Sequence, residues 1–160
     1  MSKPFNEFNQ RIEQKGVFDV KSIYSKLIDW FIDNKYEYTE KDSTTKIKSY
    51  GTEVNLRFTA VKLIDDFAKS EIKIDIKTVT SDKVSVKGKK LDKGSLEIRM
   101  IANLILDYKH RYSSKFGLFL LNIYIRYLIK DRFENYYEDQ VSKNAKAIYD
   151  LLKEELNLAY

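Results

Sequence analysis

The chain of 160 residues is 43% apolar and 33% charged, with no cysteine and a single histidine. That length can bury one hydrophobic core without staples, and the lack of cysteine excludes disulfides, thiolate metal sites and thiol catalysis. The formal net charge of +5 is concentrated: residues 81–115 hold nine basic against four acidic side chains, and the rest of the chain is balanced.

The N-terminal run MSKPFNEFNQRIEQKG carries Glu7 and Glu13 and lacks the apolar stretch of a signal peptide. It reads as a flexible arm over residues 1–16, ahead of a single α+β domain over residues 17–160. Asp19 is a suitable N-cap. Behind it Val20, Ile23, Tyr24, Leu27 and Phe31 recur at three- and four-residue spacing, which predicts a helix from Val20 to about Asn34 with one apolar face. Trp30 and Ile32 fall off that face and imply a helix end covered by another element.

From Tyr36 to Lys109 the period becomes two, the mark of strands with one buried face. Tyr36 and Tyr38 open the first, and the polar stretch Glu40–Lys46 predicts a bend. Gly51 separates it from a second strand with Val54, Leu56, Phe58 and Ala60 inward. Val61 and Leu63 are apolar on the other parity, which predicts a bulge near Val61. Ile72, Ile74 and Ile76 mark a third strand and Val84 and Val86 a short fourth. After a turn at Gly88, Gly94 opens a long fifth, with Leu96, Ile98, Met100, Ala102, Leu104, Leu106 and Tyr108 on one parity. Short connections favour an antiparallel meander of about five strands.

Phe116 to Ile129 reads FGLFLLNIYIRYLI, apolar except at Gly117, Asn122 and Arg126. The stretch falls short of the ~20 residues that a membrane span needs. Leu118, Leu121, Ile125, Leu128 and Ile129 form one stripe, and Leu120, Ile123, Tyr124 and Tyr127 form a second on another side. A last helix from about Asp139 to Leu156 places Val141, Ala145, Ile148, Leu152 and Leu156 on one face. Helix, antiparallel strands, then two helices is the α+β pattern.

Residues suited to catalysis are scattered. His110 has no identifiable nucleophile or orienting carboxylate. Asp65 and Asp66 would face opposite sides of an extended strand and could share a cation only in a turn, while Asp29 and Asp33 lack the further ligands a cation wants. Ser43 to Lys46 and Ser70 to Lys73 match a serine-x-x-lysine spacing without its accompanying elements. There is no glycine-rich phosphate loop, nucleophile elbow or HExxH zinc motif. The expectation is a protein that is not an enzyme and uses no metal or cofactor.

Binding residues are easier to find. Lys87, Lys89, Lys90 and Lys93 with Arg99 offer phosphate contacts around one turn. Against this, the strands alternate sign along their outward parity: Glu71, Lys73, Asp75, Lys77, and again Glu97, Arg99. Eight of the twelve tyrosines lie from Tyr108 onward, and tyrosine suits interfaces because an apolar ring carries a hydroxyl that tolerates a wet rim. Leu120, Ile123, Tyr124, Tyr127, Tyr136 and Tyr137 are therefore the candidate partner-binding residues.

The run GVFDVKSIYSKLIDWFIDNKYEY from Gly16 to Tyr38, with KGKKLDKGSLEI from Lys87 to Ile98, resembles a family of small α+β proteins from archaea and viruses that has no assigned activity. The resemblance implies an α+β fold, permits a virion or assembly role, and transfers no functional residue. The expected function is thus a structural or interaction module that meets a protein partner or a second copy, in the cytoplasm or a virion. The alternatives are a nucleic-acid-contacting accessory protein using the lysine turn, and a binder of a small apolar ligand between sheet and helix.

Overall fold

A computed structural model describes residues 3–65, 67–106, 115–123 and 133–157. The elements are β1 (Lys3–Phe18), α1 (Val20–Asp33), β2 (Glu37–Lys48), β3 (Gly51–Leu63), β4 (Ala68–Val86), β5 (Lys89–Leu106), α2 (Lys115–Ile123) and α3 (Asp139–Asn157), the last preceded by a π-helical turn at Phe133–Glu138. The five strands form one antiparallel sheet in the order β1-β5-β4-β3-β2. The fold is α+β, and β2 to β5 run as the meander that short connections favour.

The N-terminal segment corrects the sequence reading. It is the edge strand β1, paired with β5 from Lys3 opposite Leu106 to Phe18 opposite Asp92. A register shift between Asn6 and Phe8 leaves Phe5 opposite Leu104 and Phe8 opposite Ala102. The extra residue stretches the apolar spacing from two to three, so the alternation that marks a strand is broken. Two further expectations change for related reasons. The third and fourth strands are one strand, β4, bent by a register shift between Thr80 and Asp82. No shift occurs near Val61, since β3 pairs with β4 without interruption from Thr52 to Leu63. Lys62 occupies the inward slot there by laying its ammonium 5.7 Å from the centre of the Tyr36 ring, a cation over an aromatic face. The bend expected in Glu40–Lys46 is present as a shift between Lys41 and Thr44.

Alternation sends one parity of each strand into a single core. Phe58 and Ala60 of β3, Ile72, Ile74 and Ile76 of β4, and Leu96, Ile98, Met100, Ala102, Leu104 and Leu106 of β5 are all buried. Among the described residues, α1 and α3 cover that face. α1 contributes Ile23, Leu27 and Phe31, and α3 contributes Val141, Ala145, Ile148, Leu152 and Leu156, all buried and all on the stripes that helical spacing predicts. α3 lies on the β1 side, where Phe8 meets Tyr149 edge-on at 5.7 Å between ring centres. α1 lies on the β2 side, where Phe31 stacks on Tyr38 at 5.8 Å. Ser22 on α1 donates to Glu155 on α3 at 2.6 Å and ties the two helices.

The ends of α1 show how the chain is steered. The Asp19 carboxylate accepts from the Ser22 N–H, as an N-cap should. At the other end Lys35 takes a left-handed φ of 61°, Tyr36 N–H donates to Phe31 C=O and Lys35 N–H to Ile32 C=O. This is the Schellman closure, with the accompanying apolar contact supplied by the Phe31 and Tyr36 rings. Trp30 is covered through its contact with Tyr36, whereas Ile32 stays exposed.

Candidate interaction surfaces

Three surfaces stand out among the described residues: the outer side of α2, the β4–β5 hairpin tip, and the sheet face opposite α1 and α3. On α2, Phe116, Phe119, Leu120 and Ile123 are 69%, 59%, 41% and 37% exposed, while Gly117 is buried. Their spacing of i, i+3, i+4 and i+7 places all four on one side of the helix, because each residue turns about 100°. Of the expected partner-binding residues, Leu120 and Ile123 therefore sit on an exposed apolar face. Phe116 and Phe119 belong with them and were missed, although their three- and four-residue spacing to Leu120 and Ile123 was in the sequence.

Tyr136 is exposed, but Tyr137 is buried and donates its hydroxyl to Asp65 at 2.6 Å. Asp65 also accepts the Phe67 and Ala68 N–H groups with its other oxygen. Tyr137 thus closes the β3–β4 turn against the start of α3, and its ring is not available to a partner. Tyr124, Tyr127 and His110 lie outside the described residues.

The basic turn is a two-residue hairpin loop. Lys87 and Gly88 have φ values of 52° and 82°, the paired left-handed geometry that matches strand twist. Lys87 and Lys90 are exposed at this tip, Lys89 stands opposite Val86, and Lys93 stands opposite Asp82. Arg99 does not join them. It lies six residues further along β5 than Lys93, about 20 Å at strand rise, in the middle of the sheet.

A buried polar junction lies beneath the start of β2. The Tyr36 hydroxyl is 2.9 Å from that of Ser70 and accepts from the Asn144 amide at 3.0 Å. Burial holds this phenol above its ordinary value, and the two hydrogen bonds pull the other way. Ser70 consequently faces the core while Lys73, on the opposite parity, is exposed, so the Ser70 to Lys73 spacing does not bring a serine and a lysine together.

The sheet face away from the helices carries Arg11 of β1, Lys41 of β2, Arg57 of β3, Lys73 of β4 and Arg99 of β5, all exposed. Arg57 donates from Nε to Asp75 at 2.9 Å, Lys73 lies 3.7 Å from Glu71, and Arg11 lies 3.3 Å from Glu97 and also pairs with Glu13. No helix among the described residues is long and apolar enough to cross a membrane. The chain matches no family model, no curated protein and no solved structure.

Proposed function

We propose that the protein is a non-enzymatic interaction module, a subunit of a larger assembly such as a virion, that docks through α2 onto a protein partner or a second copy of itself. The observation that supports this reading is the run of Phe116, Phe119, Leu120 and Ile123 on one exposed side of a helix. Amphipathic helices in a folded chain ordinarily turn such a stripe inward; α3 does so and α2 does not.

Magnitudes set what the contact can be. Full burial of a large apolar side chain is worth about 1.5–3 kcal/mol, and these four are already part-covered. Association itself costs about 4–15 kcal/mol, so α2 alone supports a weak contact, and a stable one recruits neighbouring surface such as Tyr136. Light scattering across a wide range of protein concentration tests the self-association half. A concentration-dependent oligomer that reverts to monomer in Phe119→Ser with Leu120→Ser supports the reading. For the partner half, a photo-crosslinker placed at position 119 should capture one defined protein from the native host. A strict monomer that captures nothing defeats the proposal.

A further inference from the structure

On the open face of the sheet, strand pairing gathers charges that each strand keeps apart. Signs alternate along β4 and β5, yet across the strands the register sets Arg11 opposite Arg99, Arg99 opposite Asp75, Asp75 opposite Arg57, and Arg57 opposite Lys41. One line over all five strands therefore holds four cations and one carboxylate. Like charges directly opposite each other destabilise a sheet, and this line contains two such pairs, Arg11 with Arg99 and Arg57 with Lys41. Lys73 in the adjoining row adds a fifth cation. Among the described residues, Arg99 and Lys41 have no carboxylate partner.

Two depressions run along this line and share Arg99 and Ile101. One, of about 480 Å³, is lined by Lys41, Arg57, Lys73 and the carboxylates Asp75 and Glu71 among others, and the second, of about 510 Å³, by Asn9, Gln10 and Arg11. The side chains of Arg57 and Lys73 remain 54% and 55% exposed, so the trough is shallow. A small molecule gains affinity when most of its surface is buried, which this trough cannot provide. A ligand here gains instead from repeated charge. The trough crosses four inter-strand gaps, about 19 Å, the axial rise of about five or six base pairs of a duplex. The adjoining row of Asn9, Ile101, Lys73, Thr59 and Thr39 adds no aromatic ring, and neither does the row on the other side, where Glu13, Glu97, Lys77 and Asn55 stand opposite one another and both glutamates pair with Arg11. Single-strand binders rely on such rings for stacking. Peptide recognition wants side-chain pockets, and Ile101 is the only apolar group in these three rows.

We propose that this face binds the phosphate backbone of a double-stranded nucleic acid, without sequence preference, with Arg99, Arg57, Lys41 and Lys73 on the phosphates. Guanidinium groups suit the task because their fork matches two phosphate oxygens at once. The site is separate from α2 and from the lysine tip, and it stands or falls independently of the docking proposal.

The test is fluorescence anisotropy of a labelled duplex of about 20 base pairs with the full chain at low and moderate salt. Binding should be detectable at about 50 mM salt and weaken about 100-fold by about 200 mM, as four phosphate contacts require. Two unrelated duplex sequences should bind equally. Arg99→Gln with Lys41→Gln should weaken binding about 10-fold or more and flatten the salt dependence, while Lys87→Gln with Lys90→Gln at the tip should change it by less than about two-fold. Both row positions are exposed, and removing Arg99 relieves its like-charged neighbour, so the row variant folds; circular dichroism melting checks this. Absence of binding at low salt overturns the proposal. So does loss in the tip variant without loss in the row variant, or a single strand or polyglutamate that binds as tightly as the duplex.

Discussion

Tyr36 connects several parts of the molecule through one hydroxyl. It bonds Ser70 on β4 and Asn144 on α3, and its ring supports Trp30, Phe31 and Lys62. Tyr36→Phe leaves the buried Ser70 and the half-buried Asn144 short of a hydrogen bond, which should cost about 1–3 kcal/mol in urea unfolding at neutral pH. The pH dependence has a definite sign. The folded hydroxyl is held above the ordinary value of 10.0, so the folded chain binds this proton more tightly than the unfolded chain. The stability it contributes is whole below about pH 10 and is lost as pH rises through the folded value. Tyr24, bonded to Glu40, is shifted the same way. Stability should therefore fall above about pH 10, and Tyr36→Phe should make that fall shallower; an equally steep fall in the variant excludes Tyr36 as a source. Lys35 offers an opposite case. A non-glycine side chain in the left-handed region costs about 1–2 kcal/mol, so Lys35→Gly should add about 1 kcal/mol of stability, read as a higher urea midpoint at unchanged slope.

At the scale of elements, β4 is held by close backbone contact where it bends. A Cβ at Gly94 would come within 1.9 Å of the Val79 carbonyl oxygen and one at Gly51 within 2.3 Å of the Thr80 carbonyl oxygen. Two glycines thus flank the irregularity between Thr80 and Asp82 and let three strands approach there. Gly94→Ala should destabilise by about 3 kcal/mol or more, because backbone atoms cannot move aside as a flexible side chain can; calorimetry would register it as a large drop in Tm. The elements differ in how legible they were. α1 and α3 could be read directly, since each buries one face and Ile23, Leu27, Phe31 or Val141, Ala145, Ile148 repeat with the helix. β1 could not, because an extra residue between Phe5 and Phe8 hides the period. The exposed side of α2 was half legible: apolar spacing identifies a stripe but not whether anything covers it.

At the scale of the molecule, both sheet edges, β1 and β2, come from the first third of the chain, with α1 joining them across the core. The strand order was not legible, because nothing local to residues 3–18 names β5 as its neighbour. The charged row was hidden for the same reason. Arg11, Lys41, Arg57, Asp75 and Arg99 are scattered in sequence, and only pairing makes them one line. Removing residues 1–18 tests the importance of β1. A loose arm could be cut without effect, but here deletion strips Phe8, Ile12 and Phe18 from the core and bares the backbone of β5, a template for edge-to-edge pairing. The truncated chain should aggregate on expression, and light scattering of the soluble fraction would show it.

A ribosome delivers β1 first and the strand it must pair with last. Lys3 meets Leu106 only after the whole meander has been made, an interval of roughly 5–20 s at ordinary synthesis rates. Throughout that time β1 is a strand without a neighbour. Its Asn6, Glu7, Asn9, Gln10, Arg11, Glu13 and Gln14 keep it hydrated and poorly suited to any other edge. The polar composition that makes the segment look like a linker is what lets it wait.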